Sequence, residues 1–170
     1  MGYSQDKLTK IVRKHGTIIL PTDWYDKFTS EGKYLTCHTK NFKSGKYCAV
    51  LVCKKEKGKL VYREYLSRVL LNAPKFKHVD HINNDPMDNR IENLRLASHR
   101  ENCRNRRKYE NTQFKAKGIV RRNKRFSALC TKDGINYTAG TFATADEAAH
   151  HYNLLAKWLH GEFANLNILA

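Results

Sequence analysis

Short segments rich in apolar and β-forming residues, separated by polar stretches, predict β-strands in the first third of the chain. Charged or turn-forming residues separate four segments rich in apolar and β-branched residues, at 16–21, 34–39, 47–53 and 60–65. One helical turn is expected at 23–28, with Asp23 as its N-cap. Residues 1–66 are therefore predicted to form a small antiparallel β region with basic hairpin tips.

A run of turn-forming residues divides the middle of the chain. The stretch from Asn83 to Asn89 is rich in Asn, Asp and Pro, so a loop between two short strands is predicted there. Ser98 followed by Glu101 fits a capping box at the start of a helix. The order strand, loop, strand, helix is predicted within residues 67–110.

The last part of the chain predicts three strands and one long helix. The strands are expected at 117–122, 125–131 and 137–142, and Asp133-Gly134 is a strong hairpin signal. Thr144 and Glu147 form a capping box, after which apolar residues recur at helical spacing. Residues 111–170 should form a three-stranded antiparallel sheet packed on one helix, so the fold class is α+β.

Composition adds a strong positive charge. The 170 residues carry 32 Lys and Arg against 16 Asp and Glu, for a formal net charge of +16. A polyanion is therefore the first partner to consider, and the 41% hydrophobic content excludes a wholly disordered basic tail. No apolar run reaches the length of a membrane span, so a cytoplasmic protein with no membrane partner is expected.

The five cysteines disfavour a structural zinc site. Their number is odd, their spacing is irregular, and no Cys-x-x-Cys pair occurs. Reduced and mostly buried thiols are expected, as in a reducing compartment. A zinc-stapled DNA-binding module is therefore disfavoured.

The charges are unevenly distributed. Residues 100–132 hold 12 Lys and Arg against two Glu, whereas four acids, Asp80, Asp85, Asp88 and Glu92, cluster in the middle. Carboxylates that bind a metal beside a phosphate would explain acids within a basic chain. Ordinary turn and cap use of Asp is the alternative, and it explains some of the four.

The middle segment contains residue types suited to phosphodiester hydrolysis. Asp80 and Asn102 offer the oxygen ligands that Mg²⁺, Mn²⁺ or Ca²⁺ prefers. His81 would point to the opposite face of the strand and could accept a proton from an attacking water. Asn93 has a carbonyl oxygen that could accept from the imidazole of His81. A structural histidine and turn asparagines are the alternative interpretation.

This segment resembles the HNH nuclease family, and within it the homing endonucleases of phages and introns. The resemblance is carried by Val79 to Ile82, Asp88 to Arg95, Glu101-Asn102 and Asn105. It implies that His81 is the general base and that Asn93 orients it. It also implies that Asp80 and Asn102 bind a divalent metal, with Mg²⁺ expected and Mn²⁺ or Ca²⁺ possible. Relatives often carry His-Arg where this chain has Ser67-Arg68, so a local DNA or structural contact is expected to differ.

The last segment resembles the DNA-binding domain of plant apetala/ethylene-responsive factors, which also occurs fused to HNH nucleases. The residues that carry this resemblance are Lys117 to Arg122, Gly140 to Phe142, Asp146 to Ala149, Tyr152, Ala156 and Gly161 to Asn167. It implies that the three-stranded sheet enters a DNA groove. Phe126 replaces a usual tryptophan and Ala139 a common leucine.

These observations predict a site-specific, metal-dependent DNA endonuclease of the homing or mobile-element type. A single site per chain predicts a monomer that nicks double-stranded DNA, in a bacterial or phage-infected cell. Cutting both strands would require a dimer or a second binding event. The expected DNA contacts are Arg68, Arg90, Arg95, Arg104, Arg106, Arg107, Lys117, Arg121, Arg122, Lys124 and Arg125. The alternatives are a DNA-binding regulator or architectural protein without activity, and, more weakly, an RNA-binding basic protein. A solvated charged face is the alternative for the cations near Arg121.

Overall fold

The chain has an α+β fold with several small antiparallel sheets and few helices. The computed structural model describes residues 7–42, 45–105 and 116–169, without the side chains of 40–42, 45–47 and 104. The chain divides into two compact units, residues 1–99 and 100–170. The predicted boundary between residues 110 and 111 lies outside the described residues.

The first unit contains three antiparallel sheets. Its first hairpin is formed by β1 (Leu8–Arg13) and β2 (Gly16–Pro21), and helix α1 (Thr22–Ser30) follows. A central sheet has the order β3 (Lys33–Phe42), β4 (Gly45–Glu56), β5 (Lys59–Tyr65). Helix α2 (Leu66–Leu70) leads to a second hairpin of β6 (His78–His81) and β7 (Leu94–Ala97). Helix α3 (His99–Arg104) begins directly after Ser98, as predicted, and all of it except His99 belongs to the second unit.

One hydrophobic core joins these elements. Its buried residues are Ile18, Leu20, Phe28, Leu35, Val50, Val52, Leu66, Leu70, Met87 and Leu94. They come from the first hairpin, α1, the central sheet, α2, the loop between β6 and β7, and β7. The predicted boundary between residues 66 and 67 therefore lies inside a single packed unit.

The second unit is the predicted three-stranded sheet and helix. Strands β8 (Ile119–Arg122), β9 (Arg125–Lys132) and β10 (Ile135–Phe142) pair antiparallel with β9 in the centre. Helix α4 (Ala145–His160) covers one face, where Ala128 and Cys130 of β9 pack with Tyr152 and Ala156. The capping box of Thr144 and Glu147 is present.

Two local expectations near the start of the chain need correction. Strand β1 was not predicted, although its residues alternate between partly buried and exposed positions. Asp23 lies in the first turn of α1 and is not its N-cap, because the cap position is Pro21. Proline suits that position because its fixed φ already matches the extended backbone that leads into the helix.

The described helices include none that is both long and apolar enough to cross a membrane. The longest of them, α4, has 16 residues. None of the five cysteines, all of which are described, forms a disulfide.

Gly118 tests the packing of the second unit. Its φ is +72°, and a Cβ at this position would collide with the buried ring of Tyr152 and with the carbonyl oxygen of Leu129. We expect Gly118→Ala to lower the free energy of unfolding by about 3 kcal/mol, since overpacking adds to backbone strain. Urea unfolding, with hydrogen exchange of the β9 amides, measures this loss.

Gly134→Ala is the matched control. Gly134 also has a positive φ, +84°, but no atom lies within 4 Å of the added Cβ. It should cost only about 1 kcal/mol, from backbone strain alone. Equal losses for the two variants would show that the Gly118 contact is not tightly packed.

Candidate active site

The hairpin of β6 and β7 positions the two central residues of the candidate site. Asp80 pairs with Arg95 and His81 pairs with Leu94. Because neighbouring residues of a strand point to opposite faces, Asp80 and His81 face different surroundings. Asp80 is buried, and His81 is partly buried.

Asp80 forms a buried ion pair with Arg95. Its Oδ2 accepts from Nε of Arg95 at 2.8 Å and lies 2.7 Å from Nη2. The two side chains are only 6% and 11% exposed, so each compensates a charge that burial would otherwise disfavour. Arg95 was expected to contact DNA, but the structure pairs its guanidinium with Asp80.

Asn93 holds the loop between β6 and β7. Its amide nitrogen donates to Oδ1 of Asn83 at 3.0 Å and to the carbonyl of Asp88 at 2.8 Å. Its Oδ1 accepts from the backbone N–H of Asn83 at 3.1 Å. Asn93 is buried, so these three bonds satisfy an amide that would otherwise be costly to bury. Asn93 therefore fixes both ends of the loop.

The same loop is docked on β2 by backbone hydrogen bonds. The N–H of Ile19 donates to the carbonyl of Met87 at 2.9 Å, and the N–H of Asn89 donates to the carbonyl of Ile19 at 2.7 Å. A parallel bridge joins Ile19 and Asp88, and Met87 enters the core. The first hairpin thus determines where Asn89 lies.

Asn89 contacts the imidazole of His81. Its Oδ1 lies 3.3 Å from Nε2 of His81, and its Nδ2 donates to the carbonyl of Pro86 at 3.1 Å. The Pro86 carbonyl needs a donor, so the amide presents its oxygen to the ring. With this amide orientation, we assign the proton of the neutral imidazole to Nε2, so that Nδ1 is the proton-accepting nitrogen.

Burial favours the neutral form of His81. It lowers the pKa of His81 below its usual value, while the bond to Asn89 and the carboxylates of Asp80, Asp85 and Asp88 oppose that shift. The unprotonated imidazole therefore predominates at neutral pH. This is the form that can act as a general base.

From the sequence we predicted that Asn93 contacts His81, whereas in the structure Asn89 makes this contact. The side chain of Asn93 bonds to Asn83 and Asp88 instead. Sequence reasoning missed Asn89 because this stretch contains several asparagines with similar turn propensity. Only the docking of the loop on Ile19 distinguishes Asn89 from the other asparagines, and this long-range contact leaves no local signal in the sequence.

Two of the clustered acids have structural roles. Oδ1 and Oδ2 of Asp88 accept from Nε and Nη2 of Arg90 at 2.8 and 2.7 Å, and this pair lowers the pKa of Asp88. Asp85 accepts from the N–H of Met87 at 2.9 Å within the turn. The turn-and-cap interpretation thus holds for these two. Arg90, an expected DNA contact, is engaged by Asp88.

Arg68 is also occupied inside the protein. Its Nη1 donates to the carbonyl of Lys77 at 2.8 Å, and Nη2 donates to the carbonyls of Ala73 and Pro74, each at 3.0 Å. It was expected to contact DNA. In the structure, its guanidinium instead binds three backbone carbonyls of the loop that leads to β6.

The expected metal ligands lie in different units. Asn102 is a partly buried residue of α3 in the second unit, so its convergence with Asp80 stays a prediction. Within the described ranges, no cluster of three or more His, Cys, Asp or Glu is arranged to hold a metal. The carboxylate of Asp80 and the amide oxygen of Asn102 are nevertheless hard donors of the kind a hydrated Mg²⁺ uses.

The basic residues of the second unit divide between two faces. Arg121 pairs with Phe126, which packs on the helix side, whereas Arg122 pairs with Arg125 on the opposite, open side. From the sequence we expected Arg121, Arg122, Lys124 and Arg125 to lie together on the open face. The pairing of Arg121 with Phe126 corrects that expectation for Arg121. Lys124 lies in the β8–β9 turn.

The remaining expected DNA contacts are less accessible or not described. Burial lowers the pKa of Lys117. Arg106 and Arg107 lie outside the described residues, as does the side chain of Arg104.

Comparison with known proteins points to nucleases. Residues 46–104 match the HNH endonuclease family, and this range includes β6, the docked loop, β7 and α3. The chain is also 31% identical over 113 residues to an uncharacterized HNH endonuclease of Acanthamoeba polyphaga mimivirus. That alignment covers 65% of this chain and 58% of the viral protein, so the chain spans somewhat over half of its relative. No solved structure matches the chain.

The Asp80–Arg95 pair gives a direct stability test of the hairpin. Arg95→Ala leaves a buried carboxylate without its cation, so we expect a loss of about 3 kcal/mol in the free energy of unfolding. Combining Arg95→Met with Asp80→Asn removes both charges and should cost less than Arg95→Ala alone. Urea denaturation of the three proteins measures the coupling.

Arg100→Ala serves as the control for an exposed pair. Arg100 is 82% exposed and lies 3.7 Å from Asp133, which is 51% exposed. Its loss should cost less than about 0.5 kcal/mol. If Arg95→Ala were as mild as Arg100→Ala, the buried pair would not stabilise the hairpin.

Proposed function

We propose that the chain is a metal-dependent endonuclease that hydrolyses phosphodiester bonds of double-stranded DNA. The observation that carries this proposal is a neutral, partly buried His81 beside the buried carboxylate of Asp80 on one hairpin. The match of residues 46–104 to the HNH endonuclease family supports it. The net charge of +16 supports a nucleic acid as the substrate.

His81 acts as the general base in this proposal. Its Nδ1 takes a proton from the water that attacks the phosphorus, while Nε2 donates to Asn89. Asn89 keeps the ring in one tautomer and orientation, because a hydrogen bond to one ring nitrogen of a histidine determines which nitrogen carries the proton. Asn93 acts indirectly, because it holds the loop from which Asn89 extends.

Asp80 and Asn102 would hold the divalent cation. Mg²⁺ is the first candidate, with Mn²⁺ and Ca²⁺ as alternatives for two oxygen ligands. When bound, the cation would stabilise the negative charge that develops on the phosphate and the leaving oxygen.

The second unit would bind the DNA duplex. Arg122 and Arg125 lie on the face of its sheet opposite to α4, and a three-stranded sheet can enter the major groove. The sequence resemblance to the apetala/ethylene-responsive-factor domain supports the same role. In the sequence, Arg104, Arg106 and Arg107 lie between the nuclease segment and this sheet and add to the positive charge.

The homing or mobile-element assignment and the single-strand cut are part of the same proposal. They rest on the motif resemblance and on the single candidate catalytic site that the sequence of each chain contains. A monomer with one such site would nick one strand of the duplex.

One observation favours a second candidate function. Arg95 already neutralises Asp80, as expected if the hairpin had lost its cation and the chain only bound DNA. A non-catalytic DNA-binding regulator or architectural protein would keep the basic second unit and have no need for a cation. Cleavage assays separate the two candidates.

Supercoiled plasmid DNA tests the proposal. With Mg²⁺ or Mn²⁺ the protein should convert supercoiled plasmid to the nicked form, and EDTA should stop the reaction. His81→Ala should lower the rate by about 100-fold or more, because a positioned general base contributes about that much. Gel quantification of nicked circles gives the rates.

His150→Ala is the matched control, because His150 is an exposed histidine of α4. It should cut like the intact protein. Equal cutting by His81→Ala would remove His81 as the base. Absence of metal-dependent cutting by the intact protein, with DNA binding retained, would favour the regulator.

A further inference from the structure

Phe76 is an aromatic side chain that the structure holds in solvent. It is 80% exposed, although a phenylalanine normally buries most of its ring. In the sequence it lies two residues before the start of β6 and four residues before Asp80. Single exposed apolar residues are common, so exposure alone implies no function.

The backbone around Phe76 is unusually well fixed for an exposed segment. The N–H of Lys77 donates to the carbonyl of Pro74 at 3.0 Å, which closes a turn with Lys75 and Phe76 at its tip. The guanidinium of Arg68 binds the carbonyls on both sides of that tip, those of Ala73, Pro74 and Lys77. This partly buried clamp holds the backbone of the turn, while the ring of Phe76 stays exposed.

The tip also carries positive charge. Lys75 and Lys77 flank Phe76 directly, His78 follows, and no acid occurs between Arg68 and Val79. Lysines on either side of an apolar ring suit a partner that offers phosphates around a stack of flat apolar groups. Duplex DNA has that chemistry.

We propose that Phe76 is a wedge that inserts into a base step of duplex DNA beside the scissile phosphate. This proposal deepens the proposed function and rests on it. The clamp by Arg68 means that the turn is already ordered before DNA binds, so insertion costs little conformational freedom. Lys75 and Lys77 neutralise the flanking phosphates while the ring separates two bases.

Such insertion would help the neighbouring site. Apolar side chains that enter a base step unstack it and bend the duplex. A bent, locally opened backbone exposes the phosphate that follows the step. The tip and His81 belong to the same unit and are separated by one short strand, so the distortion would occur close to the proposed base.

Two DNA duplexes of identical sequence test the wedge, one fully paired and one with a central abasic site. Each carries 2-aminopurine next to the centre, and binding is measured by anisotropy in EDTA so that no cleavage occurs. A wedge gains affinity where the stack is already open, so the intact chain should bind the abasic duplex roughly fivefold more tightly. It should also raise the 2-aminopurine fluorescence of the paired duplex.

Phe76→Ala should bind both duplexes equally and leave the 2-aminopurine signal unchanged. Phe76→Leu keeps an apolar wedge and should retain the preference. Val12→Ala is the matched control, because Val12 is 78% exposed on the first hairpin, away from the turn in sequence. It should behave like the intact chain.

A preference and a fluorescence rise that persist in Phe76→Ala would overturn the wedge, and so would an intact chain without either. Because the assay needs no cleavage, the two proposals can fail separately. A chain that nicks plasmid but shows no Phe76-dependent unstacking retains the nuclease and loses the wedge. A chain that unstacks through Phe76 but never nicks retains the wedge and loses the nuclease.

Discussion

Two backbone hydrogen bonds at Ile19 determine the geometry of the candidate site. They connect β2 to the carbonyl of Met87 and to the N–H of Asn89, and so they lay the loop between β6 and β7 along the first hairpin. Because Met87 also enters the core, moving this loop would disturb the packing of the whole first unit. The position of Asn89, and through it the orientation of His81, depends on that docking.

Three arginines of the first unit that were expected to contact DNA are engaged inside the protein. Asp80 pairs with Arg95, and Asp88 pairs with Arg90, while Arg68 binds backbone carbonyls. These arginines stabilise buried acids and a loop, since buried charges and carbonyls need partners. The net charge of the chain therefore overstates the number of cations available to a phosphate backbone here. The open face of the second unit, with Arg122 and Arg125, is better suited to that purpose.

Local patterns predicted the elements, and long-range contacts determined the roles of side chains. The capping box of Thr144 and Glu147 and the hairpin turn at Asp133-Gly134 depend on neighbours in sequence, so both could be predicted from the sequence. Asn89 could not, because its role comes from Ile19, which lies 70 residues earlier in the chain. The same limit applies to Arg95, whose partner is known only once the register of β6 and β7 is fixed.

We expect the docked loop to keep His81 neutral, with its proton on Nε2 and directed at Asn89. Nitrogen chemical shifts of the His81 ring, measured by NMR on selectively labelled protein at mildly alkaline pH, report this tautomer directly. We expect a protonated Nε2 and an unprotonated Nδ1 in the intact protein, and mixed tautomers in Asn89→Leu. A proton found predominantly on Nδ1 of the intact protein would contradict it.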